Sequence, residues 1–417
     1  MRRGRGLCAA DHASVPPGGC APSEGPQRRR PRSEPSAAAE YPDCGPVTPL
    51  RARRGGCARR GPNPLSGGDF FMKQTRRSFT RTFAIGSALA LAGWSQNPAP
   101  AEAQEVITWR LQAHLPTGSG SWNDSVVALS TRVAERSNGR LKISVHPADS
   151  LMASSEIFPA VARGVIEMGY SSPAYFQDQV PTGGLAFSIP GAFQSVWEAT
   201  YFWKHLGFEA LIREEAQAKG VHYFTDKLYP TELVLKEVPA SLADLSKMRI
   251  RSAGALQRYL AGVGAAPVFA PGSEIYLALT TGVVDGAHWG AAQEANSLSL
   301  YEAAKFHMRP ALGIGGVEAF IINEKAMAAL PEDLRDILSQ TLEENFWART
   351  VEYQHQEEKM LRELAQSQGV TVAQLPQDVQ DKMREAGKAF RAEEAARSPN
   401  AAEAVRRLED FLAGMGR

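Results

Sequence analysis

The sequence predicts an α/β molecule of two lobes, with a ligand cleft between them and a helical C-terminal region. Three observations carry that prediction. From residue 106 the chain opens in the order strand, helix, strand, helix, which makes layers of sheet and helix. A 13-residue segment recurs 118 residues downstream, the mark of two related halves. From residue 332 onward the apolar spacing is that of helices.

The first 103 residues stand apart from that plan. Residues 1–71 hold 12 Arg, no Lys, six acidic residues and all four cysteines, Cys8, Cys20, Cys44 and Cys57. They are rich in Gly and Pro without an apolar period, so burial cannot offset the entropy of ordering them. An arginine-rich tail suits nucleic acid and four cysteines suit a metal, but the cysteines stand 12, 24 and 13 residues apart with no CxxC pair. A disordered or spurious extension is expected, with Met72 as the true start and no nucleic-acid partner. Residues 72–103 then read as an export signal: Arg76, Arg77 and Arg81, an apolar run at 83–94, and Ala101-Glu102-Ala103 for cleavage. The Thr75-Arg76-Arg77-Ser78-Phe79 core resembles a twin-arginine signal, which implies export of a folded protein. The 12-residue apolar run falls short of the roughly 20 that a membrane span needs. Cleavage before Gln104 is therefore expected, leaving the mature chain in the periplasm.

That chain carries 30 basic and 38 acidic residues and no cysteine, which excludes disulfides and thiol chemistry. At 314 residues it is long enough to be held by its core alone. Residues 106–111 alternate as a strand, and 121–138 have helical spacing, stopped by Asn138-Gly139. A second strand at 141–145 and a helix from Ser154 follow, within a first lobe expected at 104–226. Ser155-Glu156-Ile157-Phe158-x-Ala160-Val161-x-x-Gly164-Val165-Ile166-Glu167 then recurs as Ser273-Glu274-Ile275-Tyr276-x-Ala278-Leu279-x-x-Gly282-Val283-Val284-Asp285. Each copy follows strand-like residues (141–145; 248–251 with 266–270) and reads as a helix with a serine N-cap, ended by glycine. The second lobe is expected at 227–323. Residues 324–417 should be mostly helical and pack across both lobes, with Leu334, Ile337, Leu338, Leu342, Phe346 and Trp347 facing the core. Glu357, Glu358, Lys359, Arg362 and Glu363 read as a solvated face, and 401–412 as a last amphipathic helix after Pro376 and Pro399.

A search for catalytic motifs is empty: there is no GxSxG, HExxH, GxxxxGK[ST] or GxGxxG between a strand and a helix. His114, His146, His205, His222, His288, His307 and His355 have no metal-ligand spacing. Gly313-Ile314-Gly315-Gly316 reads as an interdomain turn. Arg251 differs, because it ends a strand that opens into the glycine-containing loop Ser252-Ala253-Gly254, a position that faces the crevice of an α/β sheet. Its planar fork matches a carboxylate, although a surface ion pair would use the same residue. Trp289 and Tyr175 follow the two copies of the echo and suit either a cleft wall or ordinary core packing. Gln112 on the first strand and His288 beside Trp289 complete the candidate ligand set.

With Leu242-Ala243-Asp244-Leu245, Arg249-Ile250-Arg251 and the segment Tyr276 to Gly286, the chain resembles the DctP-like solute-binding proteins of tripartite ATP-independent periplasmic (TRAP) transporters over about residues 106–400. The resemblance implies a type II periplasmic-binding-protein-like fold that closes on a small organic acid and delivers it to TRAP membrane subunits, without catalysis. It also places Arg251 at the family's carboxylate-binding arginine. Trp289 falls where receptors for 2-oxo acids and lactate carry a tryptophan beside an acidic metal ligand. Here the neighbour is His288, and Leu228-Tyr229-Pro230-Thr231-Glu232 lacks the expected glutamine; no cofactor is expected, and these departures count against a sodium or calcium ion bridging the ligand without closing that alternative. Gly313–Gly316 is less bulky than that subgroup's segment, which implies a different far end of the ligand. An exported enzyme with an unrecognised site, or a receptor of an ATP-driven importer, remain the alternatives.

Overall fold

A computed structural model of the chain describes residues 105–417. The expected extension, the export signal, its cleavage point and the four cysteines lie outside the described residues.

Nine strands form one hydrogen-bonded sheet among the described residues: β1 (Ile107–Ala113), β2 (Leu141–His146), β3 (Met168–Ser171), β4 (Val221–Leu235), β5 (Arg249–Ser252), β6 (Ala266–Phe269), β7 (Gly286–His288), β8 (Phe306–Asn323) and β9 (Thr371–Gln374). Their order, β2-β1-β3-β8-β4-β7-β5-β6, is a palindrome of kinds. On either side of the central pair β8 and β4, an antiparallel neighbour (β3, β7) leads to two parallel strands (β1 and β2, β5 and β6). The two long central strands serve both lobes. Val221–Thr225 of β4 pairs with the end of β8 beside β3, while Leu233–Leu235 pairs with the start of β8 and with β7. Between these regions the ladder slips three times, at Thr225/Lys227, Tyr229/Pro230 and Thr231/Leu233. Bulges bend and twist a ladder, and here they mark where the chain passes from one lobe to the other.

This corrects two expectations. The second lobe does not own all of 227–323, because 319–322 pair with β3 in the first lobe's sheet. Gly313–Gly316 is no turn: it lies inside β8, opposite Tyr229–Thr231 in the crossing. Gly315 has φ 92°, and Gly313 and Gly316 approach Ser188 and Thr231 too closely to carry a Cβ.

The echo is a true structural repeat. Ser154–Glu156 and Gly272–Glu274 form short 3-10 turns that lead into the helices Ile157–Ala162 and Ile275–Thr280. Both helices end at left-handed glycines, Gly164 (φ 73°) and Gly282 (φ 75°), before β3 and β7. Ser155 and Ser273 lie inside the 3-10 turns and make no side-chain cap, contrary to the expected N-caps. The last residue of each copy does something the sequence did not disclose. Glu167 accepts from the backbone N–H (2.8 Å) and guanidinium (2.9 Å) of Arg110 on β1, and Asp285 does the same for Arg249 on β5 (2.8 and 3.1 Å). Two identical clamps thus tie each repeat to the edge of its parallel strand.

The expected first helix begins instead as a π-helical turn, Trp122–Val127, and becomes regular over Ala128–Arg136. The 36-residue helix Glu332–Ser367 bridges the lobes, holding Arg132 and Arg136 through Asn345 and Glu344, and Gln293 through the Tyr353 carbonyl (2.8 Å). Leu334, Leu338, Leu342 and Phe346 are buried as expected, but Trp347 is 48% exposed. Glu357 leaves the expected solvated face and is wholly buried. Gln377–Ala395 and Pro399–Gly414 complete the helical region.

At the first bulge lies a buried ammonium. Lys227 is fully buried between Glu318 Oε2 (2.7 Å) and Asp226 Oδ2 (3.0 Å). Removing one member of a buried ion pair leaves the others uncompensated, which typically costs about 3–5 kcal/mol. Lys227→Met should therefore lower the unfolding free energy by about that amount at neutral pH, read as a reduced urea midpoint with an unchanged slope. A loss below about 1 kcal/mol would mean that the cluster is relaxed by water.

Candidate functional site

The carboxyl ends of the parallel strands and their neighbours converge on one cavity with about 370 Å³ of space between its lining atoms. His114, just past β1, and Tyr175, after β3, come from the first lobe. Arg251 on β5, and His288 and Trp289 at the end of β7, come from the second. Tyr229 on β4 and Glu318 on β8 form its base in the crossing, with Glu294 beside them. This is where open α/β sheets place ligands. The lobes meet across the mouth: Gly254 has φ 56°, and a Cβ there would lie 2.9 Å from Ala174 Cα. Only glycine permits that approach.

Arg251 is held from below and left free above. Nε donates to the Ala270 carbonyl (2.7 Å) and Nη1 to the His288 carbonyl (2.9 Å). Nη2 is buried without a partner, and no carboxylate pairs with this side chain among the described residues. Burial pulls the guanidinium down to about 10, against the opposing influence of Tyr175. Its central carbon lies 5.2 Å from the Trp289 ring centroid, a cation–π arrangement. The Tyr175 hydroxyl, Trp289 Nε1 and both ring nitrogens of His114 are also buried and unpaired. His114 packs 5.4 Å from Tyr175 and 6.0 Å from Trp289 by ring centroids. The cavity thus gathers a cation, three unspent donors and an aromatic wall, a set that takes a small anion with an apolar body.

The two cavity acids are already committed. Glu318 accepts from Lys227 Nζ (2.7 Å) and the Tyr229 hydroxyl (2.8 Å). Glu294 accepts from the Ser119 hydroxyl (2.6 Å) and from the N–H (3.1 Å) and hydroxyl of Ser121. His288 turns its ring to Ser252 Oγ (2.8 Å), and its contribution to the site is the carbonyl that orients Arg251.

Of the five expected ligand residues, the structure brings Arg251, Trp289, Tyr175 and His288 together. Gln112 is not among them. Its amide is fully buried and spent on the loop after β2, accepting from the N–H groups of Leu151 and Met152 and donating to the Met152 carbonyl. From the β1 segment the residue that reaches the cavity is His114, two positions further on and just past the end of the strand. The carboxyl-end rule used for Arg251 points to it. Glu294, Glu318 and Tyr229 carry no sequence signal of this kind.

The family described as bacterial extracellular solute-binding protein, family 7 (DctP) matches residues 113–397. A monocarboxylate 2-oxoacid-binding periplasmic protein of Nostoc sp. is 27% identical over 65% of this chain and 76% of its own length. Among solved structures, a TRAP periplasmic solute-binding protein of Pseudoalteromonas atlantica with bound sodium and pyruvate superposes with a TM-score of 0.68 at 22% identity, covering 75% of this chain and 95% of that one. An extracytoplasmic solute receptor of Bordetella pertussis that binds pyroglutamic acid gives 0.65 at 19% identity, covering 72% and 100%. These likenesses establish the two-lobed fold.

His114 sets a pH dependence for the empty protein. Burial, then the charges of Lys227 and Arg251, push its imidazole from 6.5 down to about 3. The unfolded chain therefore takes up a proton below pH 6.5 that the folded chain refuses, so this contribution is present above 6.5 and is lost as pH falls toward 3. The loss is about 5 kcal/mol at 1.36 kcal/mol per unit. Urea unfolding of wild type and His114→Gln between pH 7 and 4 should show the steeper decline in wild type. Equal slopes would mean that His114 is hydrated and titrates normally.

Proposed function

The chain belongs to the DctP family of bacterial extracellular solute-binding proteins, family 7, and on that premise we propose that it is the receptor of a TRAP-type transporter, binding a small organic acid between its lobes and passing it to membrane subunits. The observation that carries this reading is the buried guanidinium of Arg251 with Nη2 unspent and no acid opposite it. A buried cation needs a counter-charge, and a ligand carboxylate supplies one in the geometry of the fork. Trp289 covers the apolar part of the ligand, and Tyr175 and His114 close it from the other lobe. The relatives bind 2-oxo acids, pyruvate and pyroglutamic acid, which supports a ligand of that size.

Binding here is not catalysis. The hydroxyl–imidazole pair at the site, Ser252 and His288, has no acid on the second ring nitrogen, and Ser252 does not line the cavity. The Pseudoalteromonas receptor holds sodium as well as pyruvate, but the residues here do not fit a cation bridging ligand and protein. Glu318 is paired with the Lys227 ammonium, and the position beside Trp289 holds His288, whose ring is turned to Ser252, rather than an acid. The ligand should therefore bind without metal. Among the described residues no helix is long and apolar enough to cross a membrane. Export through the twin-arginine route follows from the sequence at Thr75–Phe79.

One calorimetric series tests the site. Thermal-shift screening of pyruvate, pyroglutamate, picolinate and related acids selects the ligand, and titrations of wild type, Arg251→Lys and Arg251→Ala follow. Truncating one side of a buried charge pair costs about 2–5 kcal/mol, or roughly 30- to 4,000-fold in Kd. Lysine keeps the charge without the fork and should recover part of the loss. Dialysis against a chelator should leave wild-type affinity unchanged. Wild-type affinity in Arg251→Ala overturns the site, and loss of binding after chelation overturns the metal-free reading.

Export is tested separately. N-terminal sequencing of the periplasmic form should begin at Gln104, and impaired export of an Arg76→Lys, Arg77→Lys variant should mark the twin-arginine route. A periplasmic product that retains Cys57 would show that the signal has been misread.

A further inference from the structure

On the second-lobe side of the crossing, away from the ligand cavity, three ionisable side chains meet where no water reaches. Glu232 comes from β4, His307 from β8 and Glu357 from the long helix, with a ligand-type atom of each within 4.8 Å of the others. They are respectively 3%, 0% and 0% exposed. The Tyr301 hydroxyl meets His307 Nδ1 at 2.7 Å, which leaves Nε2 facing the cluster. Nε2 lies 2.8 Å from Glu232 Oε2 without the alignment of a hydrogen bond, and neither atom has a hydrogen-bond partner. The other oxygen of Glu232 is taken by Arg309. Glu357 accepts from the N–H groups of Ala292 (2.7 Å) and Gln293 (3.1 Å), and no cationic side chain pairs with it among the described residues.

From this geometry we infer a structural metal site in which His307 Nε2, Glu232 Oε2 and a Glu357 oxygen bind one zinc ion. A nitrogen donor beside two carboxylates suits zinc better than magnesium or calcium, which take oxygen shells. The two carboxylates offset the ion's charge and lose their mutual repulsion, while Arg309, on the other oxygen of Glu232, stays beside the site as a further cation. Bonds of about 2.0 Å put tetrahedral ligands about 3.3 Å apart, so closing the shell takes movements of about 1 Å, with water in the fourth position. The Tyr301 hydroxyl orients the imidazole, as a metal-bound histidine requires of its second nitrogen.

The site would pin β4, β8 and the long helix to each other. Glu357 also holds the start of the helix Ala292–Ser297, which directly follows the Trp289–Gly290 turn of the ligand cavity. Its place is therefore behind the cavity wall, independent of the carboxylate site at Arg251.

The test uses the mature protein stripped of metal by chelation and titrated with zinc chloride. One zinc per chain should be retained after dialysis, with the thermal midpoint raised by about 5 °C or more at a hundredfold excess over Kd. Magnesium and calcium chloride should have no such effect. Glu357→Gln, which keeps an acceptor for Ala292, and His307→Gln should each bind zinc at least about tenfold more weakly. X-ray absorption of the zinc-loaded wild type should show an all-nitrogen and oxygen shell with a single imidazole, a readout that stands even if a variant fails to fold. Absence of retained zinc, unchanged affinity in both variants, or a shell with two or more imidazoles would overturn the proposal.

Discussion

The ammonium of Lys227 is the interaction on which the rest of this structure depends. It sits with no solvent contact where β4 and β8 pass from one lobe to the other, between Asp226 and Glu318. Charges this deep persist only when every partner is in place, so each carboxylate recruits further elements. Asp226 draws in Ser125 from the first helical segment (2.7 Å), Tyr170 from β3 (2.8 Å) and Asn345 from the long helix (2.6 Å). Glu318 draws in Tyr229. The network joins both crossing strands, the first lobe and the bridging helix at the bulges, and it leaves Tyr229 and Glu318 as the base of the ligand cavity.

Around that crossing, two copies of one frame have been put to different uses. Leu111 and Gln112 pair with Met168 and Gly169 as Ile250 and Arg251 pair with Gly286 and Ala287. Arg110 and Arg249 hold the same clamps. Gln112 and Arg251 are therefore equivalent positions, and both bond to the loop that follows the outer parallel strand. The uncharged amide gives three of its four hydrogen-bonding positions to that loop. A guanidinium has five N–H groups in a fork, so after serving the Ala270 and His288 carbonyls it still has Nη2 to offer. Arg251 thus brings a charge and an unpartnered donor to the cavity, where Gln112 at the equivalent position does not reach it.

Much of the frame was legible in the chain. Period-two runs placed β1 and β2 within two residues, Asn138-Gly139 and the glycines Gly164 and Gly282 marked helix ends at left-handed φ, and the echo identified the repeat. Arg251, Trp289, Tyr175 and His288 were reachable because strand ends are local features. The errors have a common cause. Gly313–Gly316 is punctuation in sequence, but a partner strand about 4.8 Å away can hold such glycines in an extended ladder where side chains would not fit. Glu357 stands among charged neighbours in a helical register, and only the N–H groups of Ala292 and Gln293, 65 and 64 residues away, turn it inward.

The sequence by itself determined the local conformations, the repeat and the place of Arg251 near the end of a strand, because each is encoded within a few turns or strand residues. Only the tertiary structure decided which buried charges meet. Lys227 with Glu318, Arg251 without an acid, and Glu232 with His307 and Glu357 are pairings across 50 residues or more, or the absence of one. Electrostatic partnership depends on distance and burial in space, and neither can be read along the chain.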